Sequence, residues 1–115
     1  MFKKISTLIL ALVISSSAYA DFVGPGASSY LVTVQAAYDL EDDETVILEG
    51  YLVSKVQKEV YVFKDSTGEI DVEIDDKILN NFKVTPDMLI RIRGEVDRDW
   101  FSILIDVDSV EYIAN

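Results

Sequence analysis

Apolar and polar residues alternate along much of the chain, and the pattern is clearest between Tyr61 and Asp75. Two short alternating stretches there are joined by Asp65-Ser66-Thr67-Gly68. Asp is favoured at the first position of a type I turn and Gly at the fourth, and a three-residue loop closed by Gly is a common hairpin connection. The pattern therefore predicts a β-hairpin whose cross-strand partners are Asp65 with Glu69, Phe63 with Asp71, and Val62 with Val72.

This register divides the hairpin into two faces, because side chains directly opposite one another on paired strands share a face. The predicted core face is apolar and carries Val60, Val62, Ile70, Val72 and Ile74. The predicted solvent face carries two aromatic rings and a row of carboxylates, namely Glu59, Tyr61, Phe63, Glu69, Asp71, Glu73 and Asp75. We expect a ligand to bind on the second face.

The flanking sequence predicts a helix and a strand before the hairpin, and a short helix and two strands after it. Thr33 is a suitable N-cap for a helix that ends near Leu40, and Asp75 or Asp76 is suitable for one that ends near Asn81. The first helix places Val34, Ala37 and Tyr38 on one apolar stripe. The other strands are predicted at Thr45–Lys55, Met88–Asp97 and Trp100–Ile113. On the first of them Val46, Leu48 and Leu52 share one side, and the predicted inward residues of the other two are Ile90 and Ile92, and Ile103, Ile105 and Val107.

The order of elements is helix, three strands, short helix and two strands, which is the order of an OB-fold, a five-stranded Greek-key barrel. Gly50 and Gly94 lie in the middle of predicted strands, where glycine lets a long strand bend around a barrel. We therefore predict an all-β domain with one or two short helices and a five-stranded OB-fold barrel. An open five-stranded meander is the alternative architecture.

The first twenty residues have the three parts of a cleavable signal peptide. Lys3-Lys4 is positive, Ile5–Ile14 is apolar, and Ala18-Tyr19-Ala20 has the small–x–small form of a cleavage site. The apolar run is shorter than the roughly 20 residues that a membrane-spanning helix needs. The sequence thus predicts cleavage after Ala20 and a periplasmic protein without a membrane span, the alternative being an uncleaved anchor. Residues 21–32 are predicted as a flexible leader and residues 33–115 as the OB-fold domain.

The amino-acid composition limits which reactions and which kinds of ligand we expect. The 115 residues include no Cys and no His, and the formal net charge is −11. Without His or Cys, no Ser/His or Cys/His nucleophile pair is available, so we predict no enzyme activity and no cofactor. The excess of negative charge repels the phosphates of nucleic acid and favours cations or basic protein surfaces as partners.

The acidic residues also raise the question of calcium, which is bound by about six to eight converging oxygen atoms. Asp71, Glu73 and Asp75 alternate along one strand about 7 Å apart, so we do not expect them to converge. Asp97 and Asp99 lie on a predicted tight loop, but the chain lacks the Asp-x-Asp-x-Asp-Gly pattern of a calcium loop. We therefore predict no specific metal site and leave loose binding of divalent cations open.

The candidate ligand-binding residues are the aromatic and acidic side chains of the first three strands, namely Glu49, Tyr51, Tyr61, Phe63, Asp71 and Glu73. Ring faces attract cations and carboxylates pair with them directly, and the same combination suits sugars and basic peptides. The plain alternative is an ordinary solvated strand face. Outside this set, Trp100 is predicted to plug one barrel end, and Arg91 and Arg93 are predicted to pair with neighbouring acids.

Several segments together resemble the bacterial OB-fold (BOF) family of small periplasmic proteins, namely Phe22–Pro25, Tyr61–Gly68, Ile70–Asp75, Val84–Pro86 and Gly94–Trp100. The resemblance covers essentially all of the chain after the predicted cleavage site. It implies a signal peptide, an OB barrel and a role in envelope stress tolerance, and it implies no catalytic residues. Expected partners are a cationic small molecule or peptide, a cell-wall fragment or an envelope protein. The alternative to ligand capture is an acidic adaptor that docks on a basic patch of an envelope protein.

Overall fold

The computed structural model of the chain describes residues 30–80 and 83–114. Its elements, in chain order, are α1 (Val34–Ala37), β1 (Thr45–Gln57), β2 (Val60–Asp65), β3 (Gly68–Ile74), α2 (Asp76–Leu79), β4 (Leu89–Arg98) and β5 (Ile103–Ala114). The predicted signal peptide, most of the predicted leader and positions 81 and 82 of the second predicted helix lie outside the described residues. None of the helices described is long and apolar enough to cross a membrane.

The strands form a closed barrel in the spatial order β1-β2-β3-β5-β4, and β4 pairs back with β1. β3 and β5 run parallel, whereas the other neighbouring strands run antiparallel. Parallel pairing of β3 with β5 requires the chain to cross over through α2 and β4, which is the connection of an OB-fold. The predicted OB-fold is therefore confirmed, and the alternative of an open meander is wrong.

Alternate residues of each strand fill the barrel with apolar side chains, as the two-residue period of a strand requires. Every buried side chain in the described part of the chain is apolar. The inward positions predicted for β1, β4 and β5 are confirmed, and the fully buried ones include Val46, Leu48, Ile90, Ile92 and Ile105. Each such side chain stabilises the fold by about 1.5–3 kcal/mol relative to exposure.

Gly50 and Gly94 occupy places where a neighbouring backbone leaves no room for a side chain. A Cβ atom at Gly50 would collide with the carbonyl oxygen of Lys64, and one at Gly94 would collide with that of Asp106. The register of β1 shifts shortly after Gly50, and the register of β4 shifts directly before Gly94. The two glycines therefore lie where the strands bend, as predicted.

The register of the hairpin differs by one residue from the prediction. The observed partners are Asp65 with Gly68, Phe63 with Ile70, and Val62 with Asp71. The turn contains two residues rather than three, because the Asp65 carboxylate accepts hydrogen bonds from the backbone N–H and the hydroxyl of Thr67, at 2.7 and 2.6 Å. Asp side chains that bond the backbone two residues onward close turns in this way.

This shift exchanges the sides of Tyr61, Val62 and Phe63, whereas Val60 is buried, as predicted. Phe63 is fully buried and Tyr61 is half-buried against the core, whereas Val62 lies on the outer side with Asp71. The predicted exposure of Phe63 is therefore wrong. Burial of the larger ring favours the observed register, since Phe removes more apolar area from water than Val does. On β3 the predicted inward residues are confirmed, namely Ile70, Val72 and Ile74.

α1 is a single helical turn that the β2–β3 turn anchors to the barrel. Thr33 caps it as predicted, by accepting a hydrogen bond from the backbone N–H of Ala36 at 3.1 Å. Asp65 accepts a second hydrogen bond, from the N–H of Val34 at 2.9 Å. One carboxylate therefore holds both the hairpin turn and the start of the helix, and Val34 and Ala37 are fully buried behind it.

α1 ends earlier than predicted, at Ala37 rather than near Leu40. The carbonyl oxygens of Tyr38 and Leu40 accept hydrogen bonds from the guanidinium group of Arg98 at the end of β4. These bonds hold the chain across the barrel end, so that it leaves the helical path.

Two further segments attach to the barrel. Tyr30–Val32 lies parallel to β1 and exchanges two backbone hydrogen bonds with Ile47. α2 begins after Asp75, which caps it as predicted by accepting a hydrogen bond from the N–H of Lys77 at 2.8 Å.

Candidate functional site

The structure does not bring the six candidate binding residues together on one surface. Four of them lie on the outer side of the barrel, namely Glu49 and Tyr51 on β1 with Asp71 and Glu73 on β3. The two rings of β2 do not, because Tyr61 packs against the core and Phe63 is fully buried. The ring of Tyr61 is also approached by the ammonium group of Lys55, which lies 5.6 Å from the ring centroid. β2 separates the two outward pairs from each other.

The carboxylates of β3 continue onto the neighbouring strands β5 and β4. Together the outward acidic side chains of these strands form a surface that we call the acidic face, consisting of Glu69, Asp71, Glu73, Glu95, Asp97 and Asp106. The register aligns them in rows across the strands. In one row Glu73 lies opposite Asp106, which lies opposite Glu95. In the adjacent row Leu104 lies between Asp71 and Asp97.

The acidic face has no basic side chain in ion-pair contact within the described part of the chain, where the only salt bridges are two that Arg91 makes. On antiparallel strands such as β5 and β4, side chains directly opposite one another have Cβ atoms about 4.5–5.5 Å apart, and like charges at directly opposite positions destabilise a sheet. Glu73, Asp106 and Glu95 therefore repel one another in the free protein. A bound cation would relieve that repulsion.

Glu49 belongs to a row of different composition. Its carboxylate lies 2.7 Å from one Nη atom of Arg91 and accepts a hydrogen bond from Nε at 2.8 Å. Glu111 contacts the other Nη atom at 3.1 Å. The hydrogen bond that Arg91 donates to the Glu49 carboxylate raises the pKa of Arg91 above its ordinary value. The prediction that Arg91 pairs with acids is confirmed, and the carboxylate of Glu49 is already paired with Arg91 on the outer side of the barrel.

Arg93 differs from its neighbour. Its guanidinium group lies over the ring of Tyr30, 5.5 Å from the ring centroid. The salt bridges found among residues 30–80 and 83–114 do not include Arg93, so its predicted pairing with an acid is wrong. The segment attached beside β1 supplies the ring face that this guanidinium group contacts.

Tyr38 lies at the edge of the acidic face nearest α1. Its hydroxyl group donates a hydrogen bond to the carbonyl oxygen of Glu69 at 2.5 Å. Partial burial raises the pKa of Tyr38, and the negative charges of Asp71 and Glu69 raise it further. The sequence predicted Tyr38 on the buried stripe of the helix, but its ring is 43% exposed. An aromatic ring therefore does lie beside the carboxylates of β3, and α1 supplies it.

The β4–β5 connection, Asp99–Ser102, exposes two consecutive aromatic rings, and we call it the aromatic loop. Trp100 is 94% exposed and Phe101 is 97% exposed. The prediction that Trp100 plugs a barrel end is wrong. The strands continue to Arg98 and resume at Ile103, so the tip of this tight connection points into solvent.

Asp99 fixes the shape of the aromatic loop. Its Oδ1 atom accepts hydrogen bonds from the backbone N–H groups of Phe101 and Ser102, at 2.9 and 2.8 Å, and from the Ser102 hydroxyl at 3.0 Å. The bond from the Phe101 N–H, together with the two from Ser102, lowers the pKa of Asp99. The N–H of Asp99 donates in turn to the carbonyl oxygen of Ser102 at 3.0 Å. The loop is thus closed by its own polar groups and begins two residues after Asp97 of the acidic face.

A cavity of about 460 Å³ on the outer side of β1 and β2 includes Tyr51, and we call it the Tyr51 cavity. Its lining residues are Tyr51, Val53, Lys64, Asp65, Ser66 and Pro86. An adjoining cavity of about 240 Å³ shares Val53 and Pro86 and includes Tyr61. Two of the predicted binding residues therefore line neighbouring cavities, away from the acidic face.

The charged residues of the Tyr51 cavity are of opposite sign, so the cavity has no evident charge preference. Burial alone would raise the pKa of Asp65, but hydrogen bonds from the Thr67 side chain and from the backbone N–H groups of Val34, Thr67 and Gly68 outweigh it and lower the pKa. The Asp65 carboxylate is therefore committed to the turn and to α1.

Sequence reasoning missed the contributions of β4, β5 and α1 to the site. Glu95, Asp97 and Asp106 alternate with inward residues that were predicted correctly, so the OB-fold strand order would have aligned them with β3. The signal for the aromatic loop was Asp99 followed at short spacing by Ser102, since Asp and Ser favour self-closed turns. No group of three or more acidic, Cys or His residues in the described ranges is arranged to hold a metal ion.

Comparison with known proteins agrees with the fold. The profile of the family described as bacterial OB fold (BOF) protein matches residues 15–112. The chain is 39% identical over 94 residues to the calcium-regulated OB-fold protein CarO of Pseudomonas aeruginosa, which covers 82% of this chain and 81% of CarO. It is 43% identical over 83 residues to protein YgiW of Escherichia coli, which covers 72% of this chain and 64% of YgiW.

The solved structure of YgiW from Escherichia coli matches the fold with a TM-score of 0.72 at 42% sequence identity, over 83% of this chain and 100% of the solved chain. None of these matched names describes an enzyme. From the extent of the profile match and the identity to CarO, the chain belongs to the bacterial OB-fold (BOF) protein family.

Proposed function

We propose that this protein is a binding module, not an enzyme, and that it binds a cationic ligand on the acidic face. The observation that carries the proposal is the row of Glu73, Asp106 and Glu95, which are aligned across adjacent strands. Such a row costs stability in the free protein. A ligand that supplies positive charge removes this cost on binding and forms charge-assisted hydrogen bonds with the same oxygen atoms.

The ring that accompanies the carboxylates in this proposal is Tyr38. Its hydroxyl group donates a hydrogen bond to the carbonyl oxygen of Glu69, and the negative charge of Asp71 is close enough to contribute to the raised pKa of Tyr38. A cation bound near Asp71 would therefore also lie within reach of the ring, whose face attracts positive charge. The proposed site keeps Asp71 and Glu73 from the sequence prediction and uses Tyr38 where Tyr61 was expected.

The spacing of the row favours an extended polycation over a single ion. Neighbouring strands lie about 4.7–4.9 Å apart, so carboxylates on successive strands are spread across the sheet. A polyamine or a peptide rich in Lys or Arg offers charges distributed over a similar length. CarO is named as calcium-regulated, which makes Ca²⁺ the appropriate second probe, bound loosely between carboxylates.

The proposal places the protein in the periplasm, with a role in tolerance of envelope stress. Its support is the predicted signal peptide and the resemblance of the sequence to a family of small periplasmic proteins. A strongly negative binding module suits that compartment, because polycations that threaten the envelope would be attracted to it over long range.

A second candidate is a saccharide, such as a cell-wall fragment, in the Tyr51 cavity. The observation that favours it is a ring 37% exposed on the wall of a cavity of about 460 Å³. OB-folds bind oligosaccharides as well as oligonucleotides on the outer side of their strands. Because Lys64 and Asp65 balance each other there, this cavity suits a neutral ligand better than a cationic one.

The proposal is tested by calorimetric titration with spermine. Asp106→Asn, at the centre of the row, should weaken spermine binding about three- to tenfold, since it removes one charge-assisted contact at an exposed site. Asp43→Asn is the matched control, because it removes the same charge from the acidic loop before β1, and Asn tolerates the positive φ of 71° found there. Equal loss in the two variants would show that only the overall charge matters and would contradict a site on the acidic face.

A further inference from the structure

We propose that the aromatic loop anchors a basic, partly apolar segment of a partner protein, with the basic groups of that segment lying on the acidic face. This inference rests on the proposed function and names the class of ligand. It is carried by the exposure of the two rings, by the hydrogen bonds that fix the loop, and by the charge around it.

The exposure of the loop is unmatched in the described part of the chain. Trp100 and Phe101 present nearly all of their surface to solvent, whereas the next most exposed large apolar side chain, Val56, is 54% exposed. Isolated apolar residues on a surface need no explanation, but two adjacent aromatic rings at the tip of one loop form a compact apolar projection. Trp in particular is enriched among the residues that dominate binding energy at protein interfaces.

The loop is also prepared for binding. Asp99 accepts three hydrogen bonds from within the loop, so the backbone that carries the rings has a defined shape before a partner arrives. A loop that is already ordered loses less conformational entropy on association than a mobile one.

The surroundings of the rings determine the chemistry of the partner. Asp97 of the acidic face lies two residues before the loop, and Arg98 between them donates its guanidinium hydrogen bonds to the carbonyl oxygens of Tyr38 and Leu40. A partner that approaches the rings therefore meets negative charge. With a net charge of −11, a second copy of this chain or an anionic membrane would be repelled, whereas a basic segment would be attracted.

The partner segment is expected to combine apolar and basic side chains. Leu104, directly beyond the loop on β5, is partly exposed between Asp71 and Asp97 and extends the apolar surface from the rings into the acidic face. An extended segment that alternates apolar with basic residues would place one set on the rings and Leu104 and the other on the carboxylates. This arrangement has an apolar centre within a charged surface, as protein interfaces commonly do.

The test compares two synthetic peptides of equal length and charge, one alternating Arg with Leu and the other alternating Arg with Ser. Because Trp100 is the only Trp in the chain, its fluorescence reports on the loop directly. We expect the Arg–Leu peptide to bind at least tenfold more tightly than the Arg–Ser peptide and to shift the emission to shorter wavelength. By calorimetry, Trp100→Ala and Phe101→Ala should each reduce that advantage to threefold or less. Val56→Ala, an exposed apolar residue near the end of β1, is the matched control and should leave it unchanged.

The outcomes separate this inference from the proposed function. If both peptides bind equally and Asp106→Asn weakens both, the acidic face binds cations and the inference about the loop is overturned. If Arg–Leu binding depends on Trp100 but is insensitive to Asp106→Asn, the loop is the docking surface and the proposed function is overturned. If neither peptide binds, both are overturned.

Three other occupants of the loop are tested with the same signal. If phosphatidylcholine or phosphatidylglycerol vesicles shift the emission to shorter wavelength and the Arg–Leu peptide does not, the occupant of the loop is a membrane and the inference is overturned. Dimers in analytical ultracentrifugation that disappear in Trp100→Ala would identify a second copy, with the same consequence. Emission already at short wavelength in the free protein would show that the chain covers its own ring, which also contradicts a free docking surface.

Discussion

Two rows of three aligned residues cross the barrel wall and have opposite charge patterns. In the row through β1, β4 and β5, Glu49 and Glu111 flank Arg91 and both contact it, at 2.7 and 3.1 Å. In the row through β3, β5 and β4, Glu73 and Glu95 flank Asp106 instead. The first row neutralises itself and stabilises the barrel, whereas the second leaves its charge available to a ligand.

The comparison shows that one central residue decides whether the charges of a row are neutralised within the protein. The two rows share β4 and β5, and their outer members are all glutamates, so their charge patterns differ only at the central residue. Arg91 in the centre gives a closed ion-pair network, and Asp106 in the centre gives an open acidic surface. The net charge of −11 is therefore not spread evenly as a solubilising coat, because part of it is aligned where only an outside cation can neutralise it.

The largest expected effect tests the face assignment of the central hairpin, on which the acidic row depends. Phe63→Asp should unfold the domain, because it removes a fully buried ring, worth about 3–5 kcal/mol, and leaves an unpaired charge in the core. Val62→Asp, one residue away, should cost about 1 kcal/mol or less, as it lies on the outer side between Ser54 and Asp71. Thermal unfolding followed by circular dichroism measures both. A larger loss in Val62→Asp would mean that the register, and with it the acidic row, is wrong.

The hairpin also shows how far the sequence determines the fold. The alternating patterns of β1, β3, β4 and β5 were sufficient to predict their inward residues and the OB-fold order. β2 was different, because apolar residues occupy both of its faces, with Tyr61 and Phe63 on one and Val60 and Val62 on the other. A strand of that kind does not specify its own register. The Asp65 hydrogen bonds that shorten the turn decided it, and they depend on a side-chain conformation that the pattern does not contain.

The candidate site was less predictable than the fold because it depends on contacts between distant strands. Asp71 and Glu73 were found from the hairpin alone. Their alignment with Asp106 and Glu95 requires the parallel register of β3 with β5, which no local signal sets. The exposure of Trp100 was missed for a related reason, since the barrel end it was expected to fill is closed by α1.

The next effect concerns the neutral row. Arg91→Ala should destabilise the protein by about 1 kcal/mol, because it breaks the contacts to Glu49 and Glu111 and leaves a carboxylate without its cation on each side of β4. The side chains of Arg91 and Glu49 are 42% and 33% exposed, so screening by solvent keeps the effect small. Chemical denaturation at low and high salt measures it, and the loss should shrink as salt rises.

Arg93→Ala is the control for that prediction, because it removes the same charge from the same strand without breaking a salt bridge found in the described part of the chain. It should cost about 0.5–1 kcal/mol at most through loss of the contact with the ring of Tyr30. This loss of stability should also depend less on salt concentration than the loss in Arg91→Ala. Equal losses with equal salt dependence would mean that the Arg91 network contributes no more than an isolated surface charge.

The smallest effect has the opposite sign and separates the two rows most sharply. Asp106→Asn should stabilise the free protein by about 0.2–1 kcal/mol at low salt, because it removes the central charge from a row of like charges. The gain should disappear in high salt, where exposed charges are screened, and the Asp43→Asn control should show little of it. Since the same variant is expected to weaken spermine binding, stability and affinity should move in opposite directions, as they do where a binding surface is maintained at a cost to the fold. A destabilised Asp106→Asn variant would reveal that the carboxylate is already neutralised within the protein, and the contrast between the two rows would then be lost.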